Sequence, residues 1–249
     1  MADAAAAIIA DQVVLARGSA PITETIAAGS IVGLAGLDGH GQERFLECLA
    51  GLRRAAAGSV LKTGGTQPVS IGSLTTAARC GVVYLPRDRR TVGIFSNLSI
   101  LDNFGIASLS ADIKGGWLRL KHRRQRYEIF REQLSIVAGD PSLSISTLSG
   151  GNQQKVLLAR LLARSPEVLL LNDPTRGVDV ATRRTLYRVF RDLARQGMAL
   201  VLLSSEIEEV IEVCDRVLVF REQSVSARLS GAEKTSERVI AAMFGTNAA

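Results

Sequence analysis

Two short stretches of the chain hold residues whose types and spacing suit phosphate chemistry. The first is Gly36-Leu37-Asp38-Gly39-His40-Gly41-Gln42-Glu43, which follows an apolar run and precedes Phe45, Leu46 and Leu49. Glycines in such a turn let backbone N–H groups face an anion, and the start of the next helix adds its positive end. A dinucleotide loop of the GxGxxG kind would need a third glycine where Arg44 stands, so that reading fails. A metal-assisted phosphate loop carries Lys and then Ser or Thr after its last glycine, but here Gln42 and Glu43 fill those places. Gln42 can donate a hydrogen bond but brings no charge. Glu43 places a carboxylate where polyphosphate would repel it unless magnesium lay between them. Taken alone, the stretch fits a nucleotide site or a structural strand-to-helix turn equally well.

The second stretch is Leu148-Ser149-Gly150-Gly151-Asn152-Gln153-Gln154-Lys155, which opens a helix expected to run to about Arg164. Ser149 suits the N-cap, and two glycines there let backbone close on an anion. Soon after it comes Val168-Leu169-Leu170-Leu171-Asn172-Asp173-Pro174-Thr175-Arg176-Gly177-Val178-Asp179. It reads as a buried strand that delivers acidic groups at its C-terminal end, where open α/β sheets put their ligands.

These turns need a sheet behind them, and the chain supplies the strands. Apolar runs at 31–35, 82–85, 168–171, 199–203 and 217–220 alternate with helical patterns such as Leu186, Val189, Phe190 and Leu193. Nearly continuous apolar strands between helices predict a parallel sheet buried on both faces. The segments before residue 30 and at 58–72 read as a small antiparallel appendage. Residues 96–147 are mostly helical. The expectation is an α/β fold forming one domain over 1–249, with a core from 1–95 and 150–249 and an inserted helical part over 96–149.

Composition narrows the function classes. The 249 residues carry 30 Lys+Arg and 24 Asp+Glu, a formal charge of +6, with 47% hydrophobic residues, which excludes disorder. Aromatic residues are 4% of the chain, too few for a base-stacking surface, so no nucleic-acid partner is expected. The one dense basic run, Lys114 to Arg131, reads as a solvated helix face. Cys48, Cys80 and Cys214 are odd in number and far apart, which argues against both a disulfide framework and a zinc site. No apolar run approaches the roughly 18 residues of a membrane span. The N-terminal Met1-Ala2-Asp3-Ala4-Ala5 has no basic segment of a signal peptide, so a cytosolic location is expected.

At these motifs the chain resembles the ATP-binding cassette of ABC transporters over nearly its whole length. LSGGNQQ resembles the family signature, LLLLNDPT the Walker B strand, GVD the D-loop, and Ser205-Glu206-Ile207-Glu208-Glu209 the switch segment. SGGNQQK, PTRGVDV, Pro86-Arg87-Asp88-Arg89 and the SSE at the switch resemble the second cassette of ribose, galactose and xylose importers. The resemblance implies a P-loop NTPase-type fold, ATP and Mg2+ as ligands, and a sugar-import ATPase peripheral on the inner face of the membrane. It implies as partners a second cassette (on the same chain or another), membrane permease subunits and, indirectly, a periplasmic or lipid-anchored solute-binding protein.

It also exposes departures. Asn172 stands for the metal-binding Asp, Asp173 for the catalytic Glu and Ser205 for the switch His. Gln42 and Glu43 replace the Lys and Ser/Thr of the P-loop, and no aromatic residue precedes Phe45 to stack on adenine. Within the resemblance, Asp173, Asn172 and Ser205 take the catalytic positions, and Glu43 and Asn172 remain as weak metal ligands. Gly36, Gly39, Gly41, Gln42 and Glu43 take the nucleotide positions, with Ser149, Gly150, Gly151, Asn152, Gln153 and Asp179 on the signature side. The expected cassette has an eroded site of its own and a signature face that completes a partner's site. The alternatives are a non-catalytic interaction or regulatory module, and a soluble cassette of DNA repair or translation.

Overall fold

A computed structural model of the chain describes residues 5–246, so the reading of Met1 to Ala4 lies outside the described residues. In chain order the strands are β1 (Ala6–Val14), β2 (Ile22–Ala27), β3 (Ile31–Gly36), β4 (Ala57–Lys62), β5 (Val69–Ser70), β6 (Val82–Leu85), β7 (Ile113–Lys114), β8 (Trp117–Leu118), β9 (Val168–Asn172), β10 (Ala199–Leu203), β11 (Arg216–Arg221) and β12 (Ser224–Ser230). The helices are α1 (Gln42–Leu49), α2 (Leu74–Arg79), α3 (Ile100–Gly105), α4 (Leu109–Asp112), α5 (Leu120–Gln133), α6 (Gly150–Leu162), α7 (Val180–Arg195), α8 (Ile207–Val213) and α9 (Ser236–Phe244). Among the described residues two compact units emerge, one from residues 5–84, 167–173 and 190–246, the other from 85–166 and 174–189. The second unit takes in α6 and 174–189, which the sequence grouping left with the core.

The first unit carries the two larger sheets. A six-stranded sheet runs β12-β11-β3-β10-β9-β6, with β11, β3, β10 and β9 parallel to one another and β12 antiparallel to β11 at the edge. Every residue of β9 and β10 is buried, as expected of strands covered on both faces. A four-stranded antiparallel sheet, β2-β1-β4-β5, gathers the segments before residue 30 and near 58–72. β2 alternates buried and exposed positions, yet its inward side includes Glu24 between Ile22 and Ile26. That carboxylate is matched by Arg216, 2.8 Å away, and by Arg228. Phe45 of α1 and Phe220 of β11 meet in the core with ring centroids 5.4 Å apart.

The second unit is mainly helical. Phe104 of α3 packs edge-on against Tyr127 of α5 at 5.6 Å. The basic run differs from the expected solvated face. Arg123 is buried and, with Arg126, holds the buried Asp112 at 2.9 and 2.7 Å. The reason is a helix whose inner face must satisfy a carboxylate that α4 delivers into the interior. Lys114, Arg119, Lys121 and Arg124 do stay exposed. No helix among the described residues is long and apolar enough to cross a membrane.

Candidate functional site

Three adjacent parallel strands of the first unit end side by side. β3 runs into the glycine turn and α1, β9 ends at Asn172 and Asp173, and β10 leads to Ser204 and Ser205. In the turn Gly39 and Gly41 have φ of 78° and 110°, a left-handed backbone that side chains resist, and Gly41 stands at the N-cap of α1. The glycine spacing thus gives the tight strand-to-helix turn that both readings of the stretch expect. Its interior, however, is bridged by its own residues.

Gln42 is buried and folds back so that Nε2 donates to the carbonyls of Gly36 at 3.2 Å and Leu37 at 2.9 Å. A lysine here would carry charge to a phosphate, whereas Gln42 ties the turn to itself. From the other side Gln223, at the β11–β12 turn, donates its backbone N–H to His40 O at 2.9 Å and its amide to Gly39 O. The carboxamide oxygens of Gln42 and Gln223 are buried without a partner. A hollow of about 210 Å³ remains over the turn, lined in part by Glu43, Arg44 and Arg53.

The two residues that the resemblance assigns to magnesium contact each other directly. Asn172 Nδ2 donates to Glu43 Oε1 at 3.0 Å and to the Tyr84 hydroxyl at 2.9 Å, while its Oδ1 is buried and unpartnered. Reversing the amide would set its oxygen against the Glu43 carboxylate, acceptor against acceptor, which needs a cation in between. As placed, Asn172 offers a donor rather than the oxygen a hard cation takes, so the pair does not fit Mg2+. Nor do the described residues contain any group of three or more His, Cys, Asp or Glu that could hold a metal. Burial pushes the Tyr84 phenol up from its ordinary pKa, against the lowering effect of the Asn172 hydrogen bond.

Asp173 adopts φ 47°, unusual for a side chain with a Cβ, and its backbone N–H donates to Leu203 O at 2.8 Å. Its Oδ1 accepts the backbone N–H of Ser205 at 2.7 Å and the Ser205 hydroxyl at 3.1 Å. The residues expected at the base and switch positions, Asp173 and Ser205, are thus joined to one another.

The signature turn stands in the second unit with its local geometry complete. Ser149 caps α6, its Oγ accepting from Asn152 N at 3.4 Å and Asn152 Nδ2 at 3.1 Å. Asn152 Oδ1 accepts Val137 N at 2.8 Å, and Gln153 Nε2 reaches back to Leu148 O at 3.1 Å. Gly151 has no room for a side chain, because a Cβ there would lie 2.8 Å from Thr182 Oγ1. Asp179 precedes α7, accepting from Thr182 N at 2.9 Å and Thr182 Oγ1 at 2.8 Å, which holds its carboxyl below the usual carboxylate range. Arg89 donates to the carbonyls of Arg176 at 2.7 Å and Gly177 at 3.2 Å, fixing the segment that leads to Asp179.

Gly36, Gly39, Gly41, Gln42, Glu43, Asn172, Asp173 and Ser205 therefore converge in the first unit. Ser149, Gly150, Gly151, Asn152, Gln153 and Asp179 belong to the second. Sequence reading missed Tyr84, Arg89, Thr182 and Gln223. Arg89 was in view inside Pro86-Arg87-Asp88-Arg89, but nothing local signals that Gln223 braces a turn 184 residues earlier.

A glycine turn feeding α1 from a parallel strand, with polar groups at the ends of the two neighbouring strands, defines the class of P-loop nucleotide-binding cassettes. The ABC transporter family model matches residues 20–176, and the chain belongs to that family. The ribose import ATP-binding protein RbsA 1 of Mesorhizobium japonicum is 39% identical over 222 residues, 88% of this chain and 43% of that protein. A putative ribose/galactose/methyl galactoside import ATP-binding protein of Agrobacterium fabrum is 38% identical over 88% of this chain and 44% of its own length. The chain thus spans less than half the length of these relatives. Among solved structures, the ABC transporter cassette MJ1267 matches with TM-score 0.78 at 15% identity over 97% of this chain and 98% of its own. The dimeric cassette MJ0796 bound to ADP and Pi matches with TM-score 0.74 at 18% identity over 90% and 98%.

Proposed function

We propose that this cassette is the ATP-binding half of a monosaccharide importer of the ribose or galactose type. It works with a second cassette, with membrane permease subunits and, through them, with a solute-binding protein. Its own P-loop site does not hydrolyse ATP, and its signature face, from Ser149 to Gln153 with Asp179, closes on ATP held by the partner cassette. The observation that carries this reading is the contrast between the Glu43–Asn172 bridge, which replaces a magnesium site, and the complete Ser149 cap, whose helix N-terminus suits a γ-phosphate. The names of the relatives support the solute class.

Gly151→Asp is a poor probe, since any Cβ there strikes Thr182. Ser149 is exposed and serves better. In the full protein assembled with its permease, Ser149→Arg is expected to lower ATP turnover and sugar uptake by at least ~100-fold, the scale of losing an oxyanion donor. Asp173→Asn, which keeps the acceptor for Ser205, should leave turnover within about twofold, because a residue outside the reacting site contributes no transition-state term. Loss of turnover in Asp173→Asn would show that this site is hydrolytic. Unchanged turnover in Ser149→Arg would favour the interaction-module reading.

A further inference from the structure

β7 and β8 form a hairpin of two residues per strand, with Ile113 opposite Leu118 and Lys114 opposite Trp117. Its tip is Gly115-Gly116, with φ of 59° and 81°. So short a hairpin is marginal by itself, and its tip buries nothing. The molecule nevertheless fixes its base: Arg119 N–H donates to Asp112 O at 2.8 Å, and Asp112 is locked inside by Arg123 and Arg126. A buried ion pair thus holds out a finger whose residues are all exposed to solvent, Trp117 most of all.

Those side chains are apolar and cationic. Trp117 is 81% exposed, and Ile113, Leu118 and Leu120 are exposed with it. Lys114, Arg119 and Lys121 stand among them, and residues 113–127 contain no Asp or Glu. Facing residues share a side of a hairpin, so Trp117 lies on one face and Ile113 with Leu118 on the other. A docked protein covers one face of a finger, whereas the headgroup layer of a bilayer covers both. We propose that this hairpin is a lipid-contacting finger that enters the interface of an anionic membrane. Trp117 seats at the headgroup level, the aliphatic side chains reach the acyl boundary, and the basic groups pair with lipid phosphates. A cassette of a transporter works beside a bilayer, which puts such a surface within reach. Nucleic acid fits less well, because three of the four apolar groups are aliphatic and cannot stack on bases.

Trp117 is the one tryptophan of the chain, so its fluorescence reports this contact directly. With vesicles of phosphatidylcholine containing phosphatidylglycerol, emission should shift to shorter wavelength and be quenched by brominated acyl chains. Pure phosphatidylcholine should leave it nearly unchanged. In cosedimentation, Lys114→Glu with Lys121→Glu should weaken binding to anionic vesicles by at least ~25-fold, about fivefold per basic residue. Trp117→Ala should weaken it by ~tenfold. Because the tip buries nothing, the melting temperature of both variants should match the parent's. The proposal is overturned if anionic vesicles leave the emission unmoved, if pure phosphatidylcholine shifts it equally, or if the variants sediment like the parent. A shift given by duplex nucleic acid or by isolated permease, but not by vesicles, also overturns it. The inference takes from the proposed function only that the cassette works beside a membrane, and its failure would leave the nucleotide-site reading untouched.

Discussion

Asn172 shows how one atom exchange recasts a site. An amide in place of a carboxylate supplies a proton donor, and Glu43, in place of a hydroxyl, supplies the acceptor, so the two close on one another without an ion. Asn172→Asp should reverse this. Two carboxylates would then face each other in a half-buried position, and the variant should lose ~1–3 kcal/mol in the absence of divalent cations. Millimolar Mg2+ or Ca2+ should raise its melting temperature by several degrees through binding to the native state alone, while the parent shows no such shift. An equal shift in the parent on calorimetry would mean that Glu43 and Asn172 already hold a cation. The exchange itself was legible in the sequence through the resemblance to the cassette family, which assigns Asn172 and Glu43 to the positions of a metal-binding Asp and a hydroxyl. Its consequence was not, since Glu43 and Asn172 lie 129 positions apart and Tyr84 enters from a third element, β6.

Among the elements, α5 departs furthest from what its composition suggests. Its run of Arg and Lys looks like a solvated surface, but the helix turns Arg123 inward to a carboxylate buried by α4. Charge counting cannot find such a partner, because Asp112 precedes the helix by a hairpin and is one Asp among many. The strands were more legible: all-apolar runs such as β9 and β10 have no stable place except the middle of a covered sheet. Asp112→Asn should destabilise the helical unit by ~3–5 kcal/mol, as expected when a buried pair loses one partner. Burial alone would raise the Asp112 pKa, but the hydrogen bonds from Arg126 and Arg123 outweigh it, and the folded-state value lies below the ordinary one. The stabilisation by the ionised carboxylate is therefore complete above the unfolded-state pKa of about 3.9 and disappears as pH falls through the lower folded-state value. Urea melts of parent and variant should differ fully at pH 7 and converge in strong acid. A difference that persists there would assign the effect to packing.

Across the whole molecule the cysteines offer a readout of global order. Cys48 and Cys214 are buried and free, and burial raises both thiols, Cys48 to about 11. Cys80 is partly exposed. In native protein at neutral pH, a disulfide reagent should therefore modify one thiol quickly and the other two at the rate of unfolding, with three reacting at once in denaturant. Two fast thiols without denaturant would show that the core around α1 or β3 opens locally. That core also has an order of manufacture. β3 carries the glycine turn but sits between β10 and β11, and Gln223 beyond them braces the turn itself. On a ribosome the turn is made early and its supports late, with residues 37–198 translated in between. At roughly 5–20 residues per second, a newborn β3 waits on the order of ten seconds or more with both edges unpaired. The strand that carries the glycine turn is thus, during synthesis, among those most in need of a chaperone.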